Sequence, residues 1–469
     1  MGGPETLVFH RGAKAATELA PLVDGRNSIR PPIDPVGLVA WLLRWMPTDP
    51  KRTLYEGVTV ERIEDSRAPD APGPGRATTL EEAPAFLRRA LETAVDTALA
   101  GVRRAAVLTG GGLDSSVMLG LAMRWAQRTG GSAFAVSLDF EGSGDDRPHL
   151  RALEAHLGCE VIRVRPEDAA SRIALLATGI DAAPTASATM PLEVELLSRA
   201  RANGAERALS GAGADELFGG QPQSLADVAS RGHPFRALRS ARRLEGFGRP
   251  AIPAWSWILR PLIGRAQPRA LRSWRARRAP FYKTPGWAGP VVRSFVEEQR
   301  RFASTRSRLP PRTSDERLAA IEEDHHRVYL AWSRRQDEHA SGLDCWDPYL
   351  DLGLASAVAS LPPDYLLYGD RWRGLLRAAA SDLLPPSLRD RMDKAAFERA
   401  LQRFLDAAGG IESMRAFASG RELAALGLVE SRALEAAFEG FVRTPGDGRA
   451  WVGLWSALAI EAFLRGRRH

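Results

Sequence analysis

The stretch Thr109–Ser116, TGGGLDSS, follows the short apolar run Ala105–Thr109 and opens the apolar, helix-patterned run Ser115–Arg128. Glycines let a backbone come close to an anion, and the first turn of a helix offers N–H groups with no partner inside the helix. Ser115 and Ser116 add two hydroxyls. Asp114 would repel a phosphate unless a cation lay between them, which is a role for magnesium. Taken alone, the segment reads equally well as a tight strand-to-helix turn.

The surroundings decide what kind of fold carries it. Leu80–Ala100 has helical spacing, Ala133–Leu138 reads as a strand, Pro148–Leu157 as a helix and Glu160–Val164 as a strand. Pro191–Ala202 then reads as a helix and Arg207–Ser210 as a short strand. Short apolar strands alternating with helices predict an α/β fold whose parallel sheet is covered on both faces, with ligands at the carboxyl ends of the strands. A second glycine-rich turn, SGAGADELFGG at Ser210–Gly220, leaves the last of these strands and carries Asp215 beside Glu216. By itself Asp215 reads as a helix cap. Together with Asp114 on a neighbouring strand end, it can hold magnesium against a pyrophosphate.

Towards the N-terminus, Ala71–Gly75, APGPG, reads as a linker. About seventy residues precede it, with a strand-like Thr6–Phe9 and a helix-like Val36–Trp45. That is too little for a catalytic domain. From Gln221 onward the pattern is mostly helical, with most of the tryptophans.

The chain has 469 residues, 44% of them hydrophobic, ordinary for a globular protein of two domains or one large domain with an appendage. No apolar run reaches the roughly 18–20 residues of a membrane span, and the N-terminus lacks the apolar core of a signal peptide. A cytoplasmic protein with no membrane partner is expected. Cys159 and Cys345 form no CxxC pair, which argues against a structural zinc site and a disulfide scaffold and predicts two buried thiols. The net charge of +7 is concentrated: twelve arginines and one acid, Glu245, lie between Arg236 and Arg278. This insert 236–278 is either a solvated helix face or a dock for an acidic peptide, a substrate or nucleic acid. No nucleic-acid module accompanies it, which counts against nucleic acid.

TGGGLDSS resembles the SGGLDSS pyrophosphate loop of the asparagine synthetase family, and SGAGADELFGG resembles that family's SGEGADELFGG. Two further segments are similar in the same order. GLDCWDPYLD, Gly342–Asp351, is similar to the family's GVEARVPFLD, and RMDKAAF, Arg391–Phe397, is similar to its lysine-bearing K-x-x-F segment. The ending LWSALAIEAFLR is also similar, so the resemblance spans roughly residues 78–469. It implies a sheet of the ATP-pyrophosphatase (adenine nucleotide alpha hydrolase-like) type with a helical C-terminal part over residues 76–469, preceded by a truncated glutaminase-like region, 1–75. It implies ATP and Mg2+ as cofactors, activation of a carboxylate as an acyl-adenylate with release of pyrophosphate, and attack by an amine. By motif position, Thr109, Gly111, Gly112, Asp114, Ser115, Ser116, Ser210, Gly211 and Asp215 would hold the nucleotide. Asp114 and Asp215 would hold the metal, and Lys394 would stabilise charge in the transition state. Asp344 would be either the base for the amine or a structural hydrogen-bonding group. His325, His326 and His339, just before it, read as exposed or structural.

The departures narrow the expectation. Met1 is followed by Gly2, and no cysteine occurs before Cys159, so the thiol that releases ammonia from glutamine is missing. Thr53–Ser66 resembles only the last part of the glutaminase-like domain. The amine therefore comes from free ammonia or from the substrate. Among relatives that close rings, β-lactam synthetases place a tyrosine two positions after the serine of the second motif, where this chain has Ala212. Lasso-peptide cyclases remain, and an insert with Trp255, Trp257, Trp274 and Trp287 suits a peptide. The implied partners are a peptide or small-molecule carboxylate substrate, a leader-binding protein and a protease of the same pathway. A small-molecule amide ligase, or an ammonia-dependent enzyme, is the other expectation. Gly110 stands where the loop's first serine is expected, and Trp346 replaces the usual arginine, which points away from aspartate as the acyl substrate.

Overall fold

The computed structural model describes residues 6–24, 30–43, 51–63, 79–142, 145–185, 187–218, 223–243, 284–306, 324–391, 398–443 and 448–467, with short pieces at 49 and between 258 and 274. The linker Ala71–Gly75, Trp255, Trp257, Lys394 and most of the insert 236–278 lie outside the described residues.

The N-terminal strands are β1 (Thr6–Arg11), β2 (Lys14–Ala16) and β3 (Thr59–Ile63), which form an antiparallel sheet in the order β2-β1-β3. The strands that follow are β4 (Arg104–Leu108), β5 (Ser132–Leu138), β6 (Val161–Val164), β7 (Arg207–Leu209) and β8 (Cys345–Trp346). They build one parallel sheet in the order β6-β5-β4-β7-β8. The chain leaves β4 to one side towards β5 and later returns to its other side as β7. The crevice where the order reverses lies at the carboxyl ends of β4 and β7, the place for a ligand in such a sheet.

Residues alternate between the faces of each strand with period two. Ala105 and Val107 of β4 join one core with Phe86, Leu87 and Leu91 of the helix Ala83–Ala98 and Val117 and Leu121 of the helix Leu113–Thr129. Ala106 and, on β5, Phe134 and Val136 join the opposite core with Leu196, Leu197 and Ala200 of the helix Met190–Ala202. The helix Leu113–Thr129 starts from extended Gly112 and ends at Gly130, whose φ of 73° is a left-handed cap that glycine adopts without strain. The elements read from the pattern in this half therefore form within one to three residues of their expected ends. β8 was not among them, because a two-residue strand shows no period.

The small N-terminal sheet packs onto the C-terminal helices. Leu7, Phe9 and Val60 share one cluster with Trp41 of the helix Pro35–Leu43, with Trp332 of the helix Asp324–Ser341, and with Trp455, Leu458 and Phe463 of the helix Gly448–Gly466. Phe9 and Trp41 meet Trp332 edge-on, with ring centroids 4.9 and 5.1 Å apart. Polar ties reinforce the contact: Tyr55 donates to the carbonyl of Ala182 at 2.6 Å, and the Asp181 carboxylate accepts from the N–H of Leu19 and Ala20 at 3.0 and 2.8 Å. Trp287 is core here, 7% exposed, whereas Trp274 is half exposed. Cys159 and Cys345 are buried free thiols. Among the described residues, no helix is long and apolar enough to cross a membrane.

Candidate active site

A cleft of about 530 Å³ opens at the carboxyl ends of the parallel strands. Thr109 and the loop after β4, Phe140 after β5, and Ser210–Asp215 after β7 all line it. Its apolar wall is made by Leu108, Leu138, Phe140, Leu192 and Leu196.

The glycine loop is shaped by its neighbours. Gly111 sits at φ +70°, and a Cβ there would stand 3.1 Å from Cβ of Asp146, so both conformation and space call for glycine. Gly112 is extended, and a Cβ on it would meet nothing within 4 Å. Thr109 Oγ1 donates to Ser115 Oγ at 3.2 Å, which holds the loop against the helix start. A Cβ at Gly211 would lie 2.9 Å from the backbone nitrogen of Ser115, so the second glycine turn touches the first turn of the helix Leu113–Thr129. Thr109, Gly112, Asp114, Ser115, Ser210, Gly211 and Asp215 all line the cleft, as does Gly110. Gly111 is turned inward, with its carbonyl accepting from Arg391 Nη1 at 2.9 Å. Ser116 is fully buried, its hydroxyl lies among core side chains without a hydrogen-bond partner, and it is not part of the cleft wall. One helical residue beyond Ser115, it points about 100° away from it.

Four arginines from distant segments complete the wall: Arg334, Arg373, Arg377 and Arg391. Arg373 bridges the two loop acids. Its Nη1 donates to Asp114 Oδ1 and Oδ2 at 2.6 and 2.5 Å, and its Nη2 donates to Asp215 Oδ1. Arg391 also pairs with Asp146 at 2.7 Å. Arg377 donates to the carbonyls of Trp372, Arg389 and Arg391, tying this segment to the loop. Burial, with Arg371 and Arg373 nearby, pushes the Arg377 guanidinium down to about 10, still cationic at neutral pH. Lys394 follows Arg391 by three residues in the sequence and lies outside the described residues.

The far wall is a buried ionic network. Ser210 donates to Asp347, and Arg334 donates to Asp347 at 2.8 Å, to Asp337 at 3.2 Å and to Ser210 Oγ at 3.1 Å. Glu193 lines the cleft 3.5 Å from Arg334 and accepts from the Thr189 hydroxyl at 2.6 Å. Asp337 is wholly buried, and burial with Glu193 nearby holds its carboxyl well above the usual carboxylate range.

Asp344 stands elsewhere. It precedes β8, beside Arg207 at the start of β7, with Oδ2 accepting from the Trp346 indole at 2.5 Å and lying 3.3 Å from Arg207 Nε. The Arg207 guanidinium in turn covers the Trp346 ring at 4.1 Å. At roughly 3.3 Å per residue, Asp344 is about 10 Å along the strand from Asp347, the acid at the carboxyl end. Burial raises its carboxyl, opposed by the Trp346 and Arg207 hydrogen bonds. Asp344 is not part of the cleft wall. His339 is exposed.

Among the described residues, no three His, Cys, Asp or Glu cluster as a metal site. Two carboxylates beside a helix N-terminus are nonetheless the oxygen set that suits Mg2+, which takes one or two carboxylates and fills its shell with phosphate oxygens and water. The residues present therefore fit a magnesium–polyphosphate group, in which Asp114 and Asp215 would hold the metal and Thr109, Gly110, Gly112 and Ser115 would line the phosphates.

Fold and cleft thus define an α/β protein with a glycine-rich loop lining a cleft at the switch point of its parallel sheet. The chain belongs to the asparagine synthase family, whose match spans residues 86–465. That places it among ATP-dependent ligases that form amides. No curated protein matches it. Among solved structures it is similar to the U34-tRNA thiolase NcsA from Methanococcus maripaludis with its 4Fe-4S cluster, at 14% identity over 55% of this chain and 80% of that chain, with a TM-score of 0.24.

Proposed function

We propose that the protein adenylates a carboxylate with ATP and joins it to an amine in the same cleft, without hydrolysing glutamine. The observation that carries this reading is the convergence of Asp114 and Asp215 from adjacent strand ends onto one arginine, next to the start of the helix Leu113–Thr129. A carboxylate oxygen of the substrate attacks the α-phosphorus, and the bond from that phosphorus to pyrophosphate breaks. Mg2+ held by Asp114 and Asp215 would withdraw charge from the phosphate oxygens. The helix N–H groups and Ser115 would hold the leaving pyrophosphate, while Arg391 fixes the loop through the Gly111 carbonyl. Lys394 stabilises the developing charge.

In the second step the amine attacks the acyl carbon, loses a proton, and AMP departs with the electrons of the acyl–oxygen bond. Glu193 is our choice for the group that takes the proton. Asp114 and Asp215 share Arg373, and Asp146 is held by Arg391, whereas the Arg334 nearest Glu193 is closer to Asp337 and Asp347. Asp344 would then act at a distance, fixing Arg207 and Trp346 and with them the pairing of β7 and β8.

Carboxylate and amine belong, in this reading, to one ribosomal peptide, closed as a macrolactam in the manner of lasso-peptide cyclases, in the cytoplasm, with a leader-binding protein and a protease as partners. Ala212, which stands where the β-lactam-forming relatives place a tyrosine, supports ring closure of another kind. The basic helix Pro234–Arg243, with Phe235 87% exposed, supports a peptide rather than a small acid. The test is incubation with ATP, Mg2+ and linear peptides that carry a free N-terminus and an internal Asp or Glu. The expected product is lighter by one water, with AMP and pyrophosphate formed in equal amount. Amide formation from free ammonium alone would instead mark a small-molecule ligase.

A further inference from the structure

Arg373 is held against its own preferences. Its backbone lies in the left-handed region at φ 54°, ψ 30°, uncommon for any residue but glycine. Its guanidinium is 6% exposed, and Nε is buried with no hydrogen-bond partner. The next residue is packed against the backbone, since a Cβ at Gly374 would lie 1.9 Å from the carbonyl oxygen of Tyr368. What this strained placement achieves is position. Both oxygens of Asp114 and Oδ1 of Asp215 accept from the one guanidinium.

We infer that Arg373 is a resident cation that closes the Asp114–Asp215 site to divalent metal until a nucleotide is present. The inference rests on the nucleotide-site reading above and adds an order of events to it. A magnesium ion sits about 2.0–2.1 Å from its oxygen ligands, so at Asp114, where both oxygens already accept from Arg373, and at Oδ1 of Asp215 it competes with the guanidinium. An arginine cannot vacate the site by losing its proton. A divalent ion arriving alone would have to stand beside this fixed positive charge, whose guanidinium is itself buried. A polyphosphate changes both conditions. It brings negative charge that two cations can share, and its oxygens match the guanidinium fork as well as a carboxylate does. Metal and nucleotide then each raise the other's affinity by the same factor. Free divalent ions do not occupy the carboxylates unproductively.

Mn2+ is the probe, read by the electron paramagnetic resonance of the free hydrated ion. Without nucleotide, wild-type protein is expected to bind Mn2+ at the cleft at least about tenfold more weakly than Arg373→Met, and Asp114→Asn added to Arg373→Met removes the gained site. With α,β-methylene-ATP present, wild type takes up Mn2+. Thermal unfolding and circular dichroism verify that each variant is folded. If Arg373→Met does not fold, Arg373→Lys and wild type decide: wild type binding Mn2+ without nucleotide as tightly as with it overturns the inference. Equal Mn2+ affinity of folded Arg373→Met and wild type without nucleotide also overturns it, while nucleotide-dependent uptake by both leaves the site reading standing. Failure of the nucleotide to recruit Mn2+ to either protein sinks the site reading and the inference together.

Discussion

Asp337 shows how the site couples to pH. It is fully buried against Arg334 and near Glu193 and Asp347, and its folded-state pKa is raised. For an acid raised on folding, the favourable contribution is complete below its unfolded pKa and is lost as pH rises through the folded value. Wild type should lose stability with rising pH by up to about 1.4 kcal/mol per unit from this group. Asp337→Asn should flatten that slope, as measured by chemical denaturation across the pH range. An unchanged slope would remove Asp337 as its source. Glu193→Gln should keep pyrophosphate release from a competent peptide yet slow amide formation by about a hundredfold or more, the usual weight of a general base. Asp114 and Asp215 were legible in the sequence because an acid inside a glycine turn is a local pattern. Arg334, Arg373, Arg377, Arg391 and Glu193 were not. Arginine is abundant in this chain, and tertiary contact alone distinguishes one in the cleft from one on a solvated face. The side chain of Ser116, next to Ser115 in the motif, is turned into the core by helical rotation, which the motif alone does not show.

At the scale of elements, the close contact between the two glycine turns sets the spacing of the acids. Gly211→Val would force its side chain against Ser115 N, only 2.9 Å from where the Cβ would stand. We expect it to weaken nucleotide binding by at least about tenfold while the chain remains folded, by calorimetric titration and circular dichroism. Binding as in wild type would show that the turns need not touch. The alternation of strand and helix from β4 to β7 was legible because each apolar run carries its own period. β8 was not, since Cys345–Trp346 is too short to show one. Its pairing decides that Asp347, rather than Asp344, reaches the carboxyl end of the sheet.

Across the whole molecule, one apolar cluster joins the first strand to the last helix. Phe9→Ala should cost about 3–5 kcal/mol, the usual cost of an emptied aromatic core position. Because Phe9 touches Trp332, the loss should register in the tryptophan fluorescence transition rather than in a separate early phase. The sequence reads residues 1–75 as a separate small region. It could not show which apolar faces meet, because that depends on residues hundreds of positions apart. The central claim concerns the cleft, not the frame. Titration of wild type, Asp114→Ala and Asp215→Ala with α,β-methylene-ATP in Mg2+ buffer tests it most directly. The account predicts saturable one-to-one binding to wild type, weakened at least about tenfold in each variant. Undiminished binding by both variants, or none by wild type, would contradict it.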